Sequence, residues 1–164
     1  MKKKADLYKQ PTEKIFKQTK IFEVINPKLV QAPPTTSLKE TVALMQRQKS
    51  SYVVIAKNKK VAGIFTEVDL VRKVLDQKIN WASPVSQFMT PDPVTLSPND
   101  SISKALTTME QHRLYYVPLV NDLGDLVNVL SVRTLLRFLA EFYPAEIYNL
   151  PPDPDQVLTT PEGG

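Results

Sequence analysis

The sequence predicts an α/β fold of the α+β kind: two β-α-β-β-α repeats related by a pseudo-twofold axis, each a small mixed sheet packed with helices. Three observations predict it. The chain matches itself when shifted by 64 residues: Pro27 falls on Pro91, Val30 on Val94, Pro34 on Pro98, Ser37 on Ser101, Met45 on Met109 and Tyr52 on Tyr116. Each copy passes once from helical to strand periodicity and back. Each also holds two short β-rich runs joined by a polar turn, a hairpin too small to stand alone in water, so the other copy is its natural partner.

The elements follow in order. A short extended stretch opens each copy, residues 28–32 and 93–96. An amphipathic helix follows, with Leu38, Val42 and Met45 at i, i+4 and i+7 in the first copy and Ile102, Leu106 and Met109 in the second. Ser37 and Glu40 have the spacing of a capping box. The hairpin strands are 52–55 and 61–65, then 116–120 and 126–130; the second turn is one residue longer, so later positions match at an offset of 65. A closing helix is expected to bury Val71, Val74 and Leu75 in one copy and Leu135, Leu136 and Leu139 in the other. The boundaries read as a basic, flexible arm over 1–20, a first repeat over 21–80, a second over 81–143 and a proline-rich tail over 144–164. Trp81, in the connection, is expected to pack.

Composition excludes several classes. With no cysteine there is no disulfide, thiolate chemistry or Cys-based zinc site. No apolar run is long enough to span a membrane, and none follows the basic start as a secretory signal would require, so the expected compartment is the cytoplasm. Seven lysines against Asp6 and Glu13 give residues 1–20 a charge of +5, whereas the whole chain carries +4. Residues 21–164 therefore sum to −1, and no basic folded face for nucleic acid is expected; the lysine arm remains an alternative route to a polyanion. Four glycines are too few for a phosphate-cradling loop, and neither G-x-G-x-x-G nor a P-loop motif occurs. The single His112 has no nucleophile to activate, and no carboxylate spacing singles out an acid and a base. No turnover and no catalytic cofactor or metal are expected.

Three local phrases then carry a family resemblance: Phe88-Met89-Thr90-Pro91, Val117-Pro118-Leu119-Val120, and Gly63-Ile64-Phe65-Thr66-Glu67-Val68-Asp69. Inside a duplicated β-α-β-β-α unit they resemble the cystathionine-β-synthase-type (CBS) domain pair, or Bateman module, over about residues 21–143. The last phrase matches that family's G-h-h-[ST]-x-x-D motif in full. The resemblance implies a regulatory, ligand-sensing protein that binds AMP, ADP, ATP or S-adenosylmethionine between its repeats. It further implies a homodimer and a partner protein controlled in trans. The alternatives are a ligand-free dimerisation or interaction scaffold and a nucleic-acid-associated protein acting through the arm.

Transferred residue by residue, the resemblance places adenine against Ala32, Thr35, Thr36, Tyr52 and Val53, with Gly63, Ile64, Thr66 and Asp69 forming the motif. The chemistry is compatible: Gly63 allows close approach, or relieves crowding in a strand. Thr66 can hold a ribose or phosphate oxygen, or cap the following helix. Asp69 can accept two ribose hydroxyls, or complement that helix's dipole. In the second copy Asn128, Ser131 and Thr134 stand at the positions of Gly63, Thr66 and Asp69, which leaves that site without a carboxylate. Arg133, by analogy with some CBS pairs, reaches across to phosphate at the Asp69 site; its plain alternative is a solvated helix charge. A basic pair used by some members for phosphate is replaced here by Tyr115 and Tyr116.

Overall fold

The computed structural model describes residues 12–75 and 77–142. Residues 1–11 of the expected arm and 143–164, which include the proline-rich tail, lie outside the described residues. The order is α1 (Thr12–Gln18), β1 (Gln31–Ala32), α2 (Leu38–Gln48), β2 (Tyr52–Lys57), β3 (Lys60–Thr66), α3 (Glu67–Lys73), β4 (Thr90–Pro91), α4 (Ile102–His112), β5 (Tyr116–Val120), β6 (Leu126–Ser131) and α5 (Val132–Phe142). Helix, hairpin and helix thus recur twice in the order expected, whereas the opening strand recurs only as a single bridge at Leu96, and β4 pairs instead with β3. Single 3₁₀ turns at Ile21–Glu23 and Val85–Gln87 add one more pair at the 64-residue offset.

Local chemistry explains the boundaries. Ser37 accepts from the Glu40 backbone N–H and Glu40 reaches back to the Ser37 N–H, closing the expected capping box. Ser101 caps α4 in the same way through Lys104 N–H. Both helices end on a left-handed residue, Lys49 and Arg113. The hairpins β2–β3 and β5–β6 are antiparallel, each with a register shift at an equivalent place, after Ile55 and after Leu119. β1 lies parallel to β2, and Leu96 makes the matching parallel bridge to Leu119.

The two cores are not cut where the repeats are cut. The segment leading into the first repeat packs on the second: Ile15 and Ile21 join Ile102, Leu119, Leu130 and Phe138 in one cluster. The segment leading into the second packs on the first: Val85 joins Leu38, Val53, Ile55 and Phe65. Backbone bonds follow the same exchange. Ile21 N–H donates to Asp100 and Ile102 N–H to Thr19, while Leu38 N–H donates to Ser83 and Val85 N–H to Thr36. β4 also crosses over, pairing with β3 through Gly63↔Pro91 and Ile64↔Thr90. Part of the arm is therefore built in: α1 is helical, and Phe16 meets Phe138 with ring centroids 6.3 Å apart.

The closing helices differ from expectation. Val74 and Leu135 are buried, but Val71, Leu75 and Leu136 are each about half exposed. Val71 and Leu136 lie within their helices on faces left uncovered, and Leu75 lies just beyond the first closing helix, which ends at Lys73. Trp81 is 43% exposed rather than packed; its contribution is a backbone carbonyl bonded by Lys39 N–H.

The exchange of leading segments makes a regional prediction. Ile21→Ala should destabilise by about 2–5 kcal/mol, as for a fully buried aliphatic chain. Its loss should raise amide exchange first in β5–β6, the hairpin it packs against, although its sequence neighbours belong to the first repeat. Hydrogen exchange by mass spectrometry checks this; earlier opening of β2–β3 would contradict it.

Candidate functional site

The two motif regions lie where the repeats meet, one closed and one open, and Tyr52 and Tyr116 meet there as equivalent residues. These equivalent side chains stack at 5.1 Å with planes tilted by 42°. Burial, and then the neighbouring ring, push the Tyr52 phenol above its usual range.

The first cleft holds the matched motif. Thr66 caps α3: its hydroxyl oxygen accepts from Asp69 N–H at 3.3 Å. The Asp69 carboxylate is 8% exposed and used on both oxygens. Oδ2 accepts from the Thr66 N–H at 2.9 Å and its hydroxyl at 2.7 Å. Oδ1 accepts from the Thr90 hydroxyl at 3.1 Å and pairs with Lys73 Nζ at 2.7 Å. Lys73 also donates to the Phe88 carbonyl at 2.9 Å. Met89 lies over Gly63: a Cβ built on that glycine would collide with the Met89 sulfur and meet Thr90 O at 2.9 Å. Gly63 is thus a close-approach glycine, and what approaches is the protein's own strand β4. Burial raises the Asp69 pKa, but Lys73 and both Thr66 donors outweigh it and hold the carboxyl below its usual range.

The second cleft is open. A cavity of about 440 Å³ is lined from the first repeat by Lys28, Val30, Lys49 and Ser50–Tyr52, and from the second by Tyr115, Tyr116, Val129, Ser131–Thr134, Leu136 and Arg137. Its size suits a small organic ligand. Ser131 caps α5 through Thr134 N–H at 3.2 Å, and the two hydroxyls lie 3.0 Å apart. Asn128 stands at the position of Gly63 and is buried. Its Nδ2 donates to Asn26 O at 2.9 Å and its Oδ1 accepts from Val129 N–H at 2.8 Å. A side chain here bridges a gap that β3 and β4 close by direct backbone pairing.

The expected site residues therefore fall into three groups. Gly63, Ile64, Thr66 and Asp69 come together at the closed cleft. Tyr52 and Arg133 come together at the open one; Arg133 also acts electrostatically on Tyr116, whose hydroxyl lies 3.5 Å from Glu67. Ala32 and Val53 pack their side chains in the first core, while Thr35 and Thr36 precede α2, Thr36 giving its carbonyl to Val85 N–H. Lys28, Lys49 and Arg137 line the open cavity and had no signal in the matched motif; the loss of the carboxylate at Thr134 was the available hint.

Two halves repeating one α/β unit around paired clefts define a duplicated, cleft-bearing module, and the comparisons give its family. The CBS domain model matches residues 21–76 and again 85–141, so the chain belongs to the CBS-domain family. It is 28% identical over 126 residues, 76% of each chain, to an uncharacterised 17.7 kDa protein of Acidianus ambivalens. It is 31% identical over 100 residues to a homoserine O-acetyltransferase of Methanohalophilus mahii, covering 60% of this chain but 20% of that longer one. A CBS domain protein from Pyrobaculum aerophilum, solved in complex with AMP, superposes with a TM-score of 0.68 and 25% identity over 77% of this chain and all of the other. Among the described residues, no helix is long and apolar enough to cross a membrane, and no group of three or more His, Cys, Asp or Glu could hold a metal ion.

Asp69 has a pH signature. A carboxyl whose pKa is depressed on folding stabilises above its unfolded pKa, about 3.9, and that stability is lost as pH falls through the folded value. Asp69→Asn should cost about 1–3 kcal/mol at neutral pH. The difference from the parent should shrink as pH drops below 4. Urea unfolding across pH 7 to 3 measures it; a constant difference would mean that the charge contributes nothing.

Proposed function

We propose that the chain is a non-catalytic regulatory module that binds an adenosine-containing nucleotide or S-adenosylmethionine between its CBS repeats and controls a partner protein in trans. The observation that carries this reading is the open cavity shared by Tyr52 of one repeat and Ser131–Thr134 of the other. The AMP complex of the Pyrobaculum protein supports it. In the open cleft Tyr52, Val30 and Val129 offer faces for a base. The Ser131 and Thr134 hydroxyls suit a sugar, and Arg133 suits a phosphate. The Asp69 cleft is a second position of the same kind. A ligand there has to move Met89 off Gly63 and compete with Thr66, Thr90 and Lys73 for the carboxylate. In the homodimer that goes with this reading, exposed Val71, Leu75 and Leu136 supply apolar contact area.

The scaffold reading has one observation in its favour: Asp69, the carboxylate at the motif's Asp position, is engaged on both oxygens within the protein. Thermal unfolding with AMP, ADP, ATP and S-adenosylmethionine separates the two. A ligand at about 100 times its dissociation constant should stabilise by roughly 2.7 kcal/mol, or about 5–10 °C in midpoint. Arg133→Gln should remove that shift and Asp69→Asn should largely keep it if the open cleft is occupied first. The reverse pattern would move the ligand to the Asp69 cleft, and no shift with any of the four would leave the scaffold.

A further inference from the structure

We infer that the open cleft selects a ligand carrying two or more phosphate groups, such as a nucleoside di- or triphosphate, over a monophosphate or a sulfonium ligand. The inference rests on the nucleotide reading above and narrows its ligand class. The cavity lining holds Lys28, Lys49, Arg133 and Arg137 and no Asp or Glu. Among the described residues no carboxylate forms an ion pair with any of the four; the ion pairs there are Lys60–Asp125, Lys73–Asp69 and Lys104–Asp100.

Two of these cations have a structural use. The Lys28 ammonium donates to the Gln48 carbonyl, and Lys49 is the left-handed residue that ends α2. Positive charge at a helix C-terminus complements the dipole. The two arginines have no such use. Arg133 lies in the first turn of α5 and Arg137 in the second, at the end where the helix dipole disfavours a cation, and the first turn carries no acid. The equivalent helix of the first repeat is built the opposite way, with Glu67 and Asp69 in its first turn. Thr134 replaces the acid at one position and Arg133 replaces the apolar Val68 at another. The exchange takes the acid out of the cleft and places two arginines one turn apart on α5, in the same cavity lining as Lys28 and Lys49. One phosphate engages one fork. A chain of phosphates engages several of the four at once, and a sulfonium is repelled by all of them.

The test uses the full chain without divalent cations. Isothermal titration with AMP, ADP, ATP, S-adenosylmethionine and inorganic tripolyphosphate should show affinity rising about tenfold for each added phosphate. S-adenosylmethionine should bind at least about a hundredfold more weakly than ATP. Arg137→Gln, at an exposed position, should reduce the ATP-to-AMP ratio by about tenfold without lowering the unliganded melting temperature. AMP binding as tightly as ATP, S-adenosylmethionine binding more tightly, or an unchanged ratio in Arg137→Gln would overturn the inference while leaving the nucleotide reading in place. Tripolyphosphate binding that depends on Arg137, with no nucleoside ligand bound, would support the anion site and overturn the nucleotide reading. Silence from all five would overturn both.

Discussion

The exchange of leading segments is the constraint on which the rest of the structure depends. Each repeat lends the other the stretch that precedes it: Ile21 is fully buried in the second core and Val85 in the first. A two-stranded hairpin does not bury enough apolar surface to hold itself, and the borrowed segment supplies the missing layer. The backbone bonds around Ser37 and Ser101 then fasten each borrowed segment to the start of a capped helix. The two repeats are consequently one cooperative body. The hairpin tips add to this, with Leu126 N–H bonded to Lys59 O at 2.7 Å and Lys60 paired to Asp125 at 2.8 Å.

Within that frame the two motif regions differ at the glycine position. At Gly63 the crossing strand comes into backbone register and Met89 settles over the glycine, so the first cleft is filled by the protein itself. At Asn128 the amide spans the distance to Asn26, and the cavity remains beside it. The motif that matches its family best is thus the one engaged in holding the fold. The degenerate copy keeps the space. Thr66 and Asp69 illustrate why a motif alone does not assign a role: the geometry that would present a hydroxyl and a carboxylate to a ribose also makes a capping box.

The repeat, the helix starts and both hairpins were legible because each is encoded locally, in periodicity, in Ser37 and Glu40, and in β-rich runs around polar turns. What the sequence did not disclose is non-local. Ile15 and Phe16 look like stray apolar residues in a lysine-rich arm until the second core is seen to need them. Val71, Leu75 and Leu136 follow a helical apolar spacing, yet face outward, because spacing tells which residues share a face and not whether that face is covered. The motif residues were found, and so was the anomaly at Asn128 and Thr134. Its consequence, an open cationic cleft in place of a lost site, depends on Lys28 and Lys49, which come from the other repeat and carry no motif.

That arrangement also fixes where a ligand can do work. A bound molecule shifts an equilibrium only by its difference in affinity for the two states, and a change from 1:99 to 99:1 needs about a 10⁴-fold difference. The hairpin interiors, with Val53, Ile55, Val117 and Leu119 fully buried, are close-packed and offer no second arrangement at that cost. The cations of the open cleft sit instead on parts that belong to different halves: Lys28 on the leading segment, Lys49 at the end of α2, Arg133 and Arg137 on α5. On the proposed reading, an anion that engages them bridges the two repeats, which also meet through the tilted Tyr52–Tyr116 stack, the Lys60–Asp125 ion pair and the Asn128–Asn26 hydrogen bond.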